Sequence, residues 1–102
     1  IIGVAYKPNV SDVRESPAYD VIGLLDDWNA TISYHDPHVS NFEVQGEQFQ
    51  SVSLTPEELE SHDCVIIVTD HDKLDMESVV GHSQLVFDTR NATDGGPNVR
   101  KL

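Results

Sequence analysis

Lys7, Asp36, Asp70, His71 and Arg90 are the residues of this chain best suited to meet a charged ligand. Lys7 and Arg90 stand out because lysine and arginine number only 6 against 18 aspartates and glutamates. An arginine offers phosphate oxygens a planar fork and a lysine offers them a point charge. Both are candidate ligand contacts, and Asp36, Asp70 and His71 are candidates for the edge of the same site. A second group, Asp12, Arg14, Glu15 and Ser16, crowds the segment before an amphipathic stretch. Arg14 beside Glu15 and near Asp12 reads as an ion pair that fixes the loop, and Ser16 as a cap for the helix that follows.

Three specific chemistries use residues of these types at strand ends. A dinucleotide-binding turn carries G-x-G-x-x-G after its first strand. Here the matching stretch is Gly3-Val4-Ala5-Tyr6-Lys7-Pro8, with one glycine and a Lys-Pro where the backbone must approach the pyrophosphate. This argues against NAD in this domain, although Asp36 stands where a ribose-binding acid would. A metal site needs three or four converging ligands; His35-Asp36-Pro37-His38 and Asp70-His71-Asp72 supply ligand types, but solvent-facing loop histidines are commoner, and no metal is expected. A phospho-acceptor aspartate of the receiver type needs acids at the end of the first strand, where this chain has Tyr6-Lys7.

The elements that must carry these residues follow from apolar periodicity. Residues 1–6 read as a strand stopped by Pro8. Ser16-Pro17 opens a helix, since Ser is a good N-cap and Pro suits the first helical position. Ala18, Val21, Ile22, Leu25 and Trp28 give it one apolar face, and Asn29 ends it. Thr31–Tyr34 is a second strand, and a short hairpin around Gly46 is expected within 42–54. Thr55-Pro56-Glu57-Glu58 reads as a capping box, with the Glu58 carboxylate reaching back to the Thr55 N–H, and its helix ends near His62. Asp63–Thr69 is a strand apolar almost throughout, which suits a parallel strand covered on both faces. Residues 75–80 are one or two helical turns, 85–89 a strand, and the tail from Asn91 a loop. Alternating strands and helices define an α/β layer fold with a mostly parallel sheet. Ligands of such sheets lie beyond the C-terminal strand ends, near a topological switch point, where Lys7, Asp36, Asp70, His71 and Arg90 all fall.

The 102 residues suggest one domain, and the formal charge of −12 argues against nucleic acid or an anionic membrane as partner. No apolar run approaches the ~20 residues of a membrane span. A single cysteine, Cys64, fits a reducing, cytoplasmic setting; within DCVIIVT it reads as buried and inert. The acidic bias suits either a halophile's solvated surface or an ordinary acidic protein. The chain opens inside an apparent core strand without an initiator Met, so a fragment of a longer chain is expected.

Taken together, Gly3-Val4-Ala5-Tyr6-Lys7-Pro8-Asn9, Asp12-Val13-Arg14-Glu15-Ser16-Pro17-Ala18, Tyr34-His35-Asp36-Pro37, Val68-Thr69-Asp70-His71 and Asp88-Thr89-Arg90-Asn91 resemble the C-terminal domain of the UDP-glucose/GDP-mannose dehydrogenase family. The resemblance runs in order through nearly the whole chain. It implies a Rossmann-like three-layer fold over residues 1–102 that binds the nucleotide of a sugar substrate. It further implies an N-terminal domain that binds NAD and a central region bearing the catalytic cysteine and the dimer contact, so that the whole enzyme is a homo-oligomer. Family enzymes oxidise the sugar C6 hydroxyl to a carboxylate in two hydride transfers, through a thiohemiacetal and a thioester. By the same resemblance Lys7 and Arg90 contact the nucleotide-sugar, while Asp12, Arg14, Glu15 and Ser16 support the loop. Nothing here matches the catalytic cysteine, so the isolated domain is expected to be inactive. Thr69-Asp70-His71 with Asp88-Thr89-Arg90-Asn91 looks closer to enzymes of UDP-N-acetylhexosamines than to those of UDP-glucose. The competing reading is a stand-alone α/β binding or regulatory module without dehydrogenase activity.

Overall fold

Alternate residues of an extended chain point to opposite faces, and the apolar runs use this to bury both faces of one sheet. The computed structural model describes residues 1–102. In it Val65, Ile67, Ile2, Val86 and Val99 face one core cluster with Leu59 and Val79. Val4, Ala5, Tyr34 and Val68 face the other, with Ala18, Ile22, Phe42 and Val44. The helical and hairpin elements follow from this division. Helix α1 (Ala18–Asp27) and the hairpin β1 (Asn41–Val44) and β2 (Glu47–Gln50) cover one face; α2 (Pro56–Glu60) and α3 (Met76–His82) cover the other. The result is the expected three-layer α/β arrangement.

The regular sheet is parallel, in the order β3 (Val65–Ile67), β4 (Val86–Asp88), β5 (Val99–Lys101). Isolated parallel bridges extend it: Ile2 to Ile67 and to His35, and Tyr34 to Ser51. Across the sheet the segments run Ser51, Tyr34–His35, Ile2, β3, β4, β5. The order reverses between the Ile2 segment and β3, which makes that boundary the topological switch point.

Four local expectations are corrected. The first strand shrinks to a bridge at Ile2, because Gly3 turns at φ +83° and lies so close to Thr69 that a Cβ would sit 2.4 Å from its carbonyl oxygen, and the second is reduced to bridges at Tyr34 and His35. The tail is not all loop, since β5 pairs with β4. Trp28 is 74% exposed rather than part of the buried face of α1. Cys64 is exposed just before β3, not buried within it. Partial shelter of its sulfur pushes the thiol pKa up, which leaves it a poor nucleophile.

Candidate functional site

The switch point is closed by a hydrogen-bonded cluster. Asp36, 3% exposed, accepts through Oδ2 from the backbone N–H groups of Val4 (2.8 Å) and Ala5 (3.1 Å), and through Oδ1 from that of His38 (2.8 Å). His71, 1% exposed, contacts the same Oδ2 through Nε2 at 2.8 Å. Its other nitrogen, Nδ1, accepts the Asn9 N–H at 2.8 Å. A backbone amide can only donate, so Nδ1 carries the lone pair and Nε2 carries the proton given to Asp36. Burial raises the Asp36 pKa, but the Val4 and His38 amides and His71 outweigh it, and the carboxyl is held below its usual range.

This cluster shapes the loop that carries Lys7. Tyr6 N–H donates to the Asp12 carbonyl at 2.7 Å. Asn9 takes a left-handed φ of +65°, a conformation asparagine tolerates. Its side chain is latched to the next loop, Nδ2 donating to Asp72 Oδ2 (3.0 Å) and Oδ1 accepting the Asp72 N–H (2.8 Å). Thr69 Oγ1 donates to the Ala5 carbonyl at 2.7 Å. Lys7 stands exposed on the resulting turn.

The Arg90 loop is built in the same manner. Asp88 is fully buried and accepts from Arg90 N, Ala92 N, Thr93 N and Thr93 Oγ1. Burial again pushes upward, and those four donors more than offset it, so its pKa is lowered. Arg90 Nε donates to the Val68 carbonyl at 2.8 Å, leaving its Nη groups without a partner in the chain. A cleft of about 360 Å³ lies here, lined by Asp88, Thr89, Arg90, Asn91, Lys101 and Leu102. Segment 68–72 therefore anchors both basic loops, Ala5 and Asn9 on one side and Arg90 on the other. Asp70 on this segment is held above the usual carboxyl range by burial and by Asp72 and Asp88. A larger, more apolar groove of about 740 Å³ opens at the opposite, N-terminal strand edge, among Ile1, Ile32, Val52 and Cys64; it holds none of these residues.

The remaining candidates separate by role. Arg14 makes a fork-like pair with Asp12 (Nε–Oδ1 3.1 Å, Nη2–Oδ2 2.9 Å), and this partner holds the Asp12 carboxyl down at about 2. Glu15 makes no ion pair and contributes a left-handed backbone, φ +60°. Ser16 Oγ accepts the N–H of Ala18, the first residue of α1, at 3.1 Å, while Pro17 rather than Ser16 takes the N-cap position. His35 Nδ1 lies 2.6 Å from the Val52 carbonyl oxygen, and the His38 ring leans on His71 with centroids 4.7 Å apart. No three His, Cys, Asp or Glu side chains converge as metal ligands would. Asn9 and Lys101 also belong to this edge. Lys101 Nζ donates to Asn91 Oδ1 and the Thr93 carbonyl, each at 2.6 Å. Pro8-Asn9 is a turn signal in the sequence; nothing there marks Lys101.

A parallel sheet with a switch point, and two basic loops locked to one segment beside it, make a Rossmann-like α/β unit with a basic edge where such sheets take ligands. The chain belongs to the UDP-glucose/GDP-mannose dehydrogenase family, whose UDP binding domain it matches over residues 1–95. It is 38% identical over 99 residues to a UDP-N-acetyl-D-mannosamine dehydrogenase of Methanococcus maripaludis strain S2, which covers 89% of this chain and 22% of the relative. The UDP-glucose 6-dehydrogenase TuaD of Bacillus subtilis is 33% identical over 72 residues, 69% of this chain and 16% of that protein. Among solved structures, UDP-D-ManNAc dehydrogenase from Pyrococcus horikoshii superposes with a TM-score of 0.73 at 23% identity, over 98% of this chain and 24% of that one. The UDP-N-acetyl-mannosamine dehydrogenase Cap5O from Staphylococcus aureus gives 0.66 at 26% identity, again over 98% and 24%. The chain thus spans about a quarter or less of the length of these relatives.

Proposed function

We propose that this chain is the nucleotide-sugar-binding unit, residues 1–102, of a longer NAD-dependent UDP-sugar 6-dehydrogenase, and that Lys7 and Arg90 contact the ligand. The observation that carries this is the anchoring of both basic loops on segment 68–72 at the sheet's switch point. Arg90 fits the role because its Nε is spent on Val68 while its Nη fork remains for a ligand oxygen. Asp36 and His71 line the site from below: both are buried and shape the loop rather than touch the ligand. Asp12, Arg14, Glu15 and Ser16 hold the approach to α1. The names of the relatives favour a UDP-N-acetylhexosamine, with UDP-glucose the alternative.

The residues present do not fit NAD. Gly3 is needed for close approach to Thr69, and the Asp36 carboxylate is fully engaged by Val4, Ala5, His38 and His71. The cofactor and the reactive cysteine belong to other parts of the longer enzyme, which we take to be a cytoplasmic homo-oligomer. The work of this unit is to bind and orient the substrate's nucleotide.

Calorimetric titration tests the reading. UDP binds more tightly than NAD, and Arg90→Ala weakens UDP about tenfold to hundredfold, as expected for a charged hydrogen bond of ~1.5–3 kcal/mol. A preference for NAD, or unchanged UDP affinity in a folded Arg90→Ala protein, overturns it.

A further inference from the structure

We propose that His71 is a positioning residue for nucleotide binding: held as its Nε2–H tautomer by Asp36, it fixes the Lys7 loop in its binding shape by accepting the Asn9 N–H. The inference rests on the reading that Lys7 contacts the ligand.

A histidine bonded to an acceptor at one nitrogen and to a donor at the other can join the two only as one neutral tautomer. Here one body is the sheet. Asp36 Oδ2 gathers three donors, Val4 N, Ala5 N and His71 Nε2, and so ties together the ends of the three central segments. The other body is the turn Tyr6–Asn9. Inside that turn the only side chain that makes a hydrogen bond is that of Asn9, which pairs with exposed Asp72. From the buried side, the bond to His71 Nδ1 is what holds the turn down. Lys7 lies two residues from Asn9, so the direction of its side chain depends on the φ of +65° that this bond stabilises. The His38 ring packed against His71 limits its rotation. The cluster is more than the core needs: Asp36 already has three backbone donors without the histidine. An apolar side chain would fill the volume, but would leave Asn9 N–H unpaired and the turn free to move.

The experiment is a double-mutant cycle read by calorimetry with UDP on the full chain, with melting temperature recorded in parallel. Lys7→Ala alone weakens UDP; unchanged affinity here removes Lys7 from the site, and the present inference falls with that reading. With that loss established, His71→Ala weakens UDP by about tenfold, the order of one hydrogen-bonded contact misplaced. In the Lys7→Ala background it adds little, because its effect is exerted through Lys7. His71→Gln, whose amide can donate to Asp36 and accept from Asn9, recovers most of the affinity. Asn9→Gly keeps both the backbone donor to His71 and a residue at ease with positive φ, losing only the exposed pairing with Asp72, and so retains most of the UDP affinity. Nitrogen-15 NMR of the imidazole shows an unprotonated Nδ1 in the wild type. A lower melting temperature with unchanged affinity in His71→Ala, a loss in Asn9→Gly as large as in His71→Ala, an equal His71→Ala loss in the presence and absence of Lys7, or a protonated Nδ1 overturns the proposal.

Discussion

Asp88 is buried in the core of the sheet edge and keeps its negative charge through four donors from the loop it organises. Its folded pKa lies below the ~3.9 of an unfolded aspartate. Between the two values the unfolded chain binds more protons, so stability rises with pH across that window. The contribution is complete above about pH 4 and disappears as pH falls through the folded pKa. Asp36 adds a second contribution of the same sign. Asp88→Asn puts an amide against the Thr93 donors, and is expected to cost about 1–3 kcal/mol at neutral pH. The difference from wild type narrows as the pH drops below about 4. Urea midpoints between about pH 2.5 and 7 measure it, and parallel curves would show that Asp88 carries no linked stability. The sequence shows these acids only as members of strand ends. Lys7 and Arg90 are legible there because charges that follow apolar runs must emerge at an edge. That Asp36 and His71 turn inward is not legible, because convergence of segments 31 to 62 residues apart is a property of the packed sheet.

At the scale of elements, the layer order follows from the apolar periodicity, and the failures occur where one residue breaks a run. Gly3 interrupts Ile1–Tyr6 with a left-handed turn, and no apolar count marks it. β5 buries only Val99 of its three residues, too few to give an alternation. Helix α2 shows half of the expected reciprocal cap. Thr55 Oγ1 accepts the Glu58 N–H at 3.1 Å, but Thr55 N–H already donates to the Ser53 carbonyl at 3.0 Å. The Glu58 carboxylate is instead 3.3 Å from His62 Nε2, one turn on. The two side chains therefore have unequal value. Thr55→Ala is expected to cost about 1 kcal/mol, the usual worth of a cap. Glu58→Gln is expected to cost less than about 0.5 kcal/mol, as for a partly exposed pair at i,i+4 spacing. Chemical denaturation of the two variants compares them; equal losses would restore the reciprocal box.

At the scale of the molecule the charge of −12 decides how the fold responds to salt. Of all the carboxylates, only Asp12 is bridged to an arginine or lysine; the other ion pairs use histidines. The acidic surface is therefore left with its own repulsion, which works against the compact state. Lys7, Arg90 and Lys101 gather at one edge, so they relieve that repulsion only locally. Salt acts differently on the two effects. Screening contracts from a range of about 10 Å at ~0.1 M to about 3 Å at ~1 M. Carboxylate repulsion then fades, while the buried bonds of Asp36 and Asp88 are barely screened. The melting temperature is expected to rise between ~0.1 M and ~1 M KCl, and UDP affinity to fall over the same range, because the attraction of exposed Lys7 and Arg90 for phosphate is screened as well. Opposite signs for stability and affinity distinguish this from general salting-out, which strengthens burial alone. A melting temperature that does not change with KCl would show that the acidic surface is electrostatically inert in this fold.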